Sequence, residues 1–106
     1  MSVRISVKGE VVSAYLEGEL DHHNAAEMRT EIDNAIELNM PSLLVLDFSP
    51  VTFMDSSGIG FVMGRYKAMK NVSGRIRVEN LSPSAYKVMK LAGLERLAEI
   101  KQREVV

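Results

Sequence analysis

Apolar and polar side chains alternate along the first sixteen residues. Val3, Ile5 and Val7 share one parity, and after the "KGE" of residues 8–10 the alternation resumes with Val12, Ala14 and Leu16. Period two puts successive side chains on opposite faces of an extended chain, and a glycine at the break supplies a tight turn. The pattern predicts a β-hairpin. Residues 18–21, "GELD", interrupt it. From Ala25 the period changes, and Met28, Ile32, Ala35 and Ile36 fall on one side of an α-helix. Asn24 with Glu27 offers one cap for this helix and Asp21 another. Met40-Pro41 closes it, because the residue before a proline is pushed out of helical geometry.

"LLVLDF" (43–48) is apolar except for Asp47 and is bounded by Pro41 and Pro50. Such a run predicts a central strand covered on both faces. Beyond "MDSSG", Ile59, Val62, Met63, Tyr66 and Met69 recur at helical spacing, with Arg65, Lys67 and Lys70 expected to face away. "NVSG" (71–74) predicts a loop and "RIRVENL" (75–81) an alternating strand. Ser82 followed by Pro83 is a cap and a first-turn proline, Tyr86 and Met89 look inward, and Gly93 stops the helix. Residues 97–100 suit one more short strand. The order β-β-α-β-α-β-α-β predicts an α/β fold: one domain over residues 1–106, with a mixed, mostly parallel sheet. A hairpin strand lies at the sheet edge and helices pack on the sheet. Partners of such sheets gather at the carboxyl ends of strands, which brings the "MDSSG" and "GELDHH" loops to one edge.

Composition narrows the functional classes. At 106 residues the chain buries one core, and 46% hydrophobic with 25% charged residues is globular rather than disordered. Thirteen basic and fourteen acidic residues are spread without a basic block, so no direct nucleic-acid binding is expected. No apolar run reaches bilayer length and "MSVRISVKGE" is not a signal peptide, which predicts a cytoplasmic chain without membrane insertion. The absence of cysteine removes disulfides and thiolate metal sites and fits a reducing compartment.

The candidate chemistry lies in "VTFMDSSGIGFVMGR" (51–65). Gly58, Gly60 and Gly64 follow a strand and open a helix, which keeps a small nucleotide-binding domain as a minor alternative. The gap before the third glycine is one residue too long for the dinucleotide fingerprint, and Lys67 lies too far along for a phosphate loop. G-x-S-x-G is absent, and the adjacent His22 and His23 point in different directions, so they suit neither a serine triad nor a metal ion. No catalytic residue, metal or cofactor is expected. Helix capping accounts for one of Ser56 and Ser57 and leaves the other idle. A phosphate on a hydroxyl at a helix N-terminus meets free N–H groups and the dipole, a gain of about 0.3–1 kcal/mol. The charges of Asp55 and Asp21 oppose it. A partner burying that edge would meet a desolvated charge costing several kcal/mol, which makes Ser57 a coherent on/off switch.

"FMDSSGIG", with "GELDHH" upstream and "SPSAYKVMKLAGL" downstream, resembles the anti-sigma factor antagonists of the STAS domain family, in order over most of the chain. "ELDHH" points to the sporulation branch, and a general stress-response antagonist with the same switch is the alternative. The resemblance implies a chain without catalytic activity whose unphosphorylated form binds an anti-sigma factor, itself a serine kinase, and frees the sigma factor. It implies phosphorylation of Ser57 by that kinase, loss of binding, and reversal by a serine phosphatase. It further implies partner-binding roles for Asp21, Asp55, Ser56 and Gly58. Asp55 and Ser56 shape the site, Gly58 lets the kinase approach the backbone, and Asp21 lies beside them. Such relatives continue into a further helix where this sequence reads "KQREVV", so part of the sheet is expected to be less covered.

Overall fold

In the computed structural model, which describes residues 3–104, the hairpin forms as its alternation predicts. Strands β1 (Val3–Lys8) and β2 (Val11–Leu16) are antiparallel, with Val3 opposite Leu16 and Lys8 opposite Val11. Then follow β3 (Gly18–Leu20), α1 (His22–Asn39), β4 (Leu43–Asp47), β5 (Val51–Met54), α2 (Ser57–Asn71), β6 (Arg75–Leu81), α3 (Pro83–Leu91), one 3-10 turn (Leu94–Arg96) and β7 (Glu99–Gln102). The main sheet has the order β1-β2-β4-β6-β7, and every pairing after the hairpin is parallel. The α/β class and the mixed, mostly parallel sheet are as expected. The last strand begins two residues later than predicted, because Gly93 at φ +82 ends α3 and turns the chain into the 3-10 turn first.

Three successive crossovers, β2-α1-β4, β4-α2-β6 and β6-α3-β7, step across the sheet in one direction. Right-handed crossovers stepping one way lay every helix on the same face. The core agrees: Met28, Ile32 and Ile36 of α1, Phe61, Val62 and Met69 of α2, and Ala85 and Met89 of α3 join one cluster. On the sheet side that cluster holds Val12, Ala14, Leu16, Leu44, Leu46, Ile76 and Val78. The expectation that β4 is covered by elements on both faces is therefore corrected. Its outward Val45 is only 8% exposed, yet it lies outside the core cluster. In register it is flanked by Ser13 and Arg77, whose neighbours form the polar covering of this face.

That outer face carries Arg4 stacked on the Tyr15 ring at 4.1 Å and a chain of ion pairs on Arg77. Arg77 reaches Glu99 at 3.1 Å and Glu79 at 3.5 Å, and Lys101 reaches Glu99 at 3.4 Å. Hydrogen bonds from Arg77 and then Lys101 hold the Glu99 carboxyl below the usual carboxylate range. Among the described residues no helix covers this face. Long charged side chains cover apolar surface with their stems and keep their heads in water.

Arg65 corrects a second expectation. It does not face away; it is 4% exposed, between α2 and α1, with Nε 2.8 Å from Asp33 Oδ1 and Nη2 donating to Asp33 Oδ2 at 3.3 Å. The Nε approach is an ionic contact off the hydrogen-bond line, which leaves both of those atoms short of an aligned partner. Burial lowers the Arg65 pKa and Asp33 opposes the shift. Met63, expected inward, is instead 40% exposed, and Phe61 takes the buried position. The apolar stripe of α2 is thus rotated towards α1, where the arginine stem and its carboxylate partner fill the interface.

Candidate functional site

The site is built on β3 and β5, which the alternation pattern did not predict. They are three and four residues long, too short to show a period, and form a separate two-stranded parallel ladder. Gly18 at φ +88 bends the chain out of β2, a conformation open to a residue without a Cβ, and its N–H donates to the Pro50 carbonyl at 3.2 Å. Glu19 lies opposite Phe53 and Leu20 opposite Met54, and the Asp55 N–H donates to the Leu20 carbonyl at 3.4 Å. Asp21 and Asp55 directly follow this paired end, so the "GELDHH" and "MDSSG" loops lie side by side. Topology alone predicts one shared edge, and the ladder is the device that fixes it.

Each aspartate is used locally. Asp21 caps α1, its Oδ1 accepting from the Asn24 N–H at 2.8 Å, which decides between the two predicted caps. Asn24 instead donates its side-chain amide to the Glu19 carbonyl at 3.0 Å. Asp55 Oδ1 accepts from the Ser57 N–H at 2.8 Å, closing a turn two residues long. Ser56 occupies the N-cap position of α2 with helical backbone angles and makes no side-chain capping bond. Serine capping, which would explain one hydroxyl, is therefore corrected: the carboxylate of Asp55 does that work. Ser56 is exposed and Ser57, first residue of α2, is half-buried. Among the described residues neither hydroxyl donates or accepts a hydrogen bond.

Gly58 is buried rather than presented at the surface. A Cβ there would come within 2.5 Å of Met54 Cγ and Sδ and 3.4 Å of Leu20 Cδ2, so its absence seats the first turn of α2 on the ladder. Gly58→Ala is expected to destabilise the fold by about 1–2 kcal/mol, the strain of overpacking exceeding alanine's better helix propensity. Urea unfolding checks it; an unchanged midpoint would show that Met54 moves aside freely. Gly60 and Gly64 differ, since a Cβ on either meets nothing within 4 Å. They floor a groove of about 400 Å³ between α1 and α2, which opens at Ser57 and His22. His23 is exposed. Among the described residues no three His, Asp or Glu side chains gather as a metal would need.

Phe53, 52% exposed on β5 opposite Glu19, is a surface residue that sequence reasoning did not single out. Its only signal is the β-prone run "VTF", and without a recognised strand it had no edge to belong to. Asp47, the polar residue of the central strand, is 9% exposed. Its carboxylate accepts from the Ser49 N–H at 2.8 Å and the Asn80 amide at 3.1 Å. It ties the turn leading into β5 to the end of β6, and so supports the site from below.

Comparison with known proteins follows the same elements. The chain is 35% identical over 95 residues to the anti-sigma F factor antagonist of Paenibacillus polymyxa, covering 90% of this chain and 81% of that one. To the anti-sigma F factor antagonist of Lysinibacillus sphaericus it is 39% identical over 88 residues, 83% and 75% of the two chains. Among solved structures, the anti-sigma factor antagonist SpoIIAA in its unphosphorylated form superposes with a TM-score of 0.79 at 35% identity, over 92% of this chain and 86% of that one. The phosphorylated form of the Bacillus SpoIIAA gives 0.73 at 35% identity, over 92% and 89%. The STAS domain profile matches residues 2–105, from the hairpin through β7. One-directional crossovers, paired edge loops and this end-to-end match lead to one conclusion: the chain belongs to the STAS domain family.

Proposed function

We propose that this chain is an anti-anti-sigma factor whose binding is switched at Ser57. In its unphosphorylated form it binds an anti-sigma factor that is also a serine kinase, and a sigma factor is released. The observation that carries the reading is the state of Ser57. Its hydroxyl is spared from capping by Asp55, reaches half-exposed from the first turn of α2, and sits at the edge shared by both loops. A serine kept out of the structure's own hydrogen bonds is available to a transferred phosphoryl group. Relatives named as anti-sigma F factor antagonists, and SpoIIAA solved with and without phosphate, give the chemistry its context.

In this reading Asp21, Asp55 and Ser56 form the surface that the partner covers, and Gly58 acts from beneath by holding the turn in place. A serine phosphatase restores the binding form, and the cycle runs in the cytoplasm. The chain is substrate and ligand of the kinase, with the phosphoryl donor, ATP, held by the kinase. On unphosphorylated docking the partner buries Ser57 as a neutral hydroxyl; after phosphorylation the same burial would desolvate a group of charge near −2.

The test is to incubate the chain with ATP and the anti-sigma kinases of the sporulation and general stress-response systems, then locate the phosphate by mass spectrometry. Labelling at Ser57, retained in Ser56→Ala and lost in Ser57→Ala, is expected with the sporulation kinase. Labelling only by the stress-response kinase would move the chain to the other branch. Label on Ser56 in place of Ser57 would shift the switch by one residue.

A further inference from the structure

We propose that the groove between α1 and α2 receives, in cis, the phosphoryl group of phosphorylated Ser57, with Arg29 as its cationic partner and His22 as a hydrogen-bonding neighbour. The inference rests on the Ser57 reading and adds where the phosphate goes once it is attached. α1 and α2 start side by side at the ladder end and run in the same direction. His22 and Arg29 lie seven residues apart on α1, as do Ser57 and Gly64 on α2, so each pair marks one helical face two turns long. These faces line the groove of about 400 Å³ together with Gly60 and Arg65.

The ionisable residues of the lining are all basic. His22, Arg29 and Arg65 contribute to it and no carboxylate does. The Arg65 charge is answered by Asp33, whereas among the described residues Arg29 enters no ion pair. Arg29 also stands near enough to Arg65 to press on its charge, a smaller influence than burial and Asp33. An anion entering the groove would relieve that repulsion. Long helical side chains lean over the turn N-terminal to their own Cα, which aims the Arg29 side chain along the groove in the direction of Ser57. The floor is clear: Gly60 and Gly64 leave open the volume that a Cβ at either would occupy.

Two carboxylates stand against the phosphate, Asp21 and Asp55, both at the mouth and both accepting backbone N–H groups of Asn24 and Ser57. They raise the second pKa of the phosphate, while the unpaired Arg29 and a hydrogen bond to His22 lower it. Rotation of the Ser57 side chain toward the groove moves the phosphate away from the carboxylates and toward His22 and Arg29. The phosphorylated form then stores its charge against its own helices and occupies a cleft that is open in the unmodified form.

The experiment uses the full chain with phosphoserine installed at position 57 by codon reassignment, so the groove is tested whether or not a kinase modifies the site. Phosphorus NMR follows the second phosphate pKa, ordinarily about 6. Arg29→Gln and His22→Gln are each expected to raise it by about half a unit, and Lys67→Gln, an exposed position outside the groove lining, to leave it unmoved. Gly60→Ala narrows the groove without altering charge and is expected to shift it in the same upward direction. Thermal unfolding of the unphosphorylated variants, expected unchanged for Arg29→Gln and His22→Gln and somewhat raised for Gly60→Ala by alanine's helix propensity, separates a lost contact from a damaged fold. A phosphate pKa that stays put in both Arg29→Gln and His22→Gln overturns the groove. Absence of kinase labelling at Ser57 overturns the switch, and it is read on a different sample.

Discussion

Ser57→Asp is expected to weaken binding of the kinase anti-sigma factor about 100-fold or more, while the unfolding free energy stays within about 0.5 kcal/mol of the unsubstituted chain. The two halves of this result have separate causes. A carboxylate at the first residue of α2 meets the positive end of the helix dipole, which offsets its repulsion from Asp55 and Asp21 within the monomer. In the complex the same carboxylate would be dried against a partner surface shaped for a hydroxyl. An unpaired buried charge at an interface costs about 2–5 kcal/mol, and a 100-fold loss is about 2.8 kcal/mol. Ser57→Ala removes only the hydroxyl and is expected to bind at near-normal affinity while refusing phosphate. Titration calorimetry against the purified kinase, with urea unfolding of each variant, measures both quantities. Undiminished binding by Ser57→Asp, or its global unfolding, would remove the basis for a surface switch.

Asp33→Asn is the larger expected effect on the fold itself. Arg65 sits with its side chain 5% exposed, held by Asp33 from across the helix pair and by the Phe61 carbonyl, which accepts from Nη1 at 3.3 Å. Removing the carboxylate charge leaves a buried guanidinium with its desolvation unanswered. Breaking a buried pair costs about 3–5 kcal/mol, and because Asp33 itself is 38% exposed we expect about 2 kcal/mol. For a chain of this size that is a fall in Tm of about 8–16 °C. The double variant Asp33→Asn/Arg65→Met is expected to recover most of the loss, since an apolar chain of similar length needs no counter-charge. Calorimetry on the single and double variants decides it. Equal melting of Asp33→Asn and the unsubstituted chain would mean that water, not Asp33, solvates Arg65.

The sequence announces elements that are long and strongly periodic. The hairpin, α1, β6 and α3 are legible because their apolar residues keep one period over a whole element, and because Asp21, Ser82-Pro83 and Gly93 mark their ends with side chains suited to caps and stops. β3 and β5 are not legible, since three or four residues cannot establish a period and their pairing is a tertiary event. The face of Arg65 is illegible for a related reason. An arginine on a helical stripe reads as solvent-facing, and only the approach of Asp33 from another helix, 32 residues away in sequence, allows its burial. At the site, the motif loop is visible in the residues themselves. That Asp55 relieves the serines of capping duty, and that Gly58 is a packing position, are properties of angles and distances which no single-residue preference carries.

The small β3–β5 ladder also carries a consequence for how such an edge can change over time. Successive residues of a strand point to opposite sides, so adding or deleting one residue before Asp55 would swing the following loop to the far side of the ladder. Point substitutions at the rim leave that geometry alone, whereas a frame slip of one residue abolishes it. Spacing, more than side-chain identity, is then what an inherited docking edge of this kind must preserve.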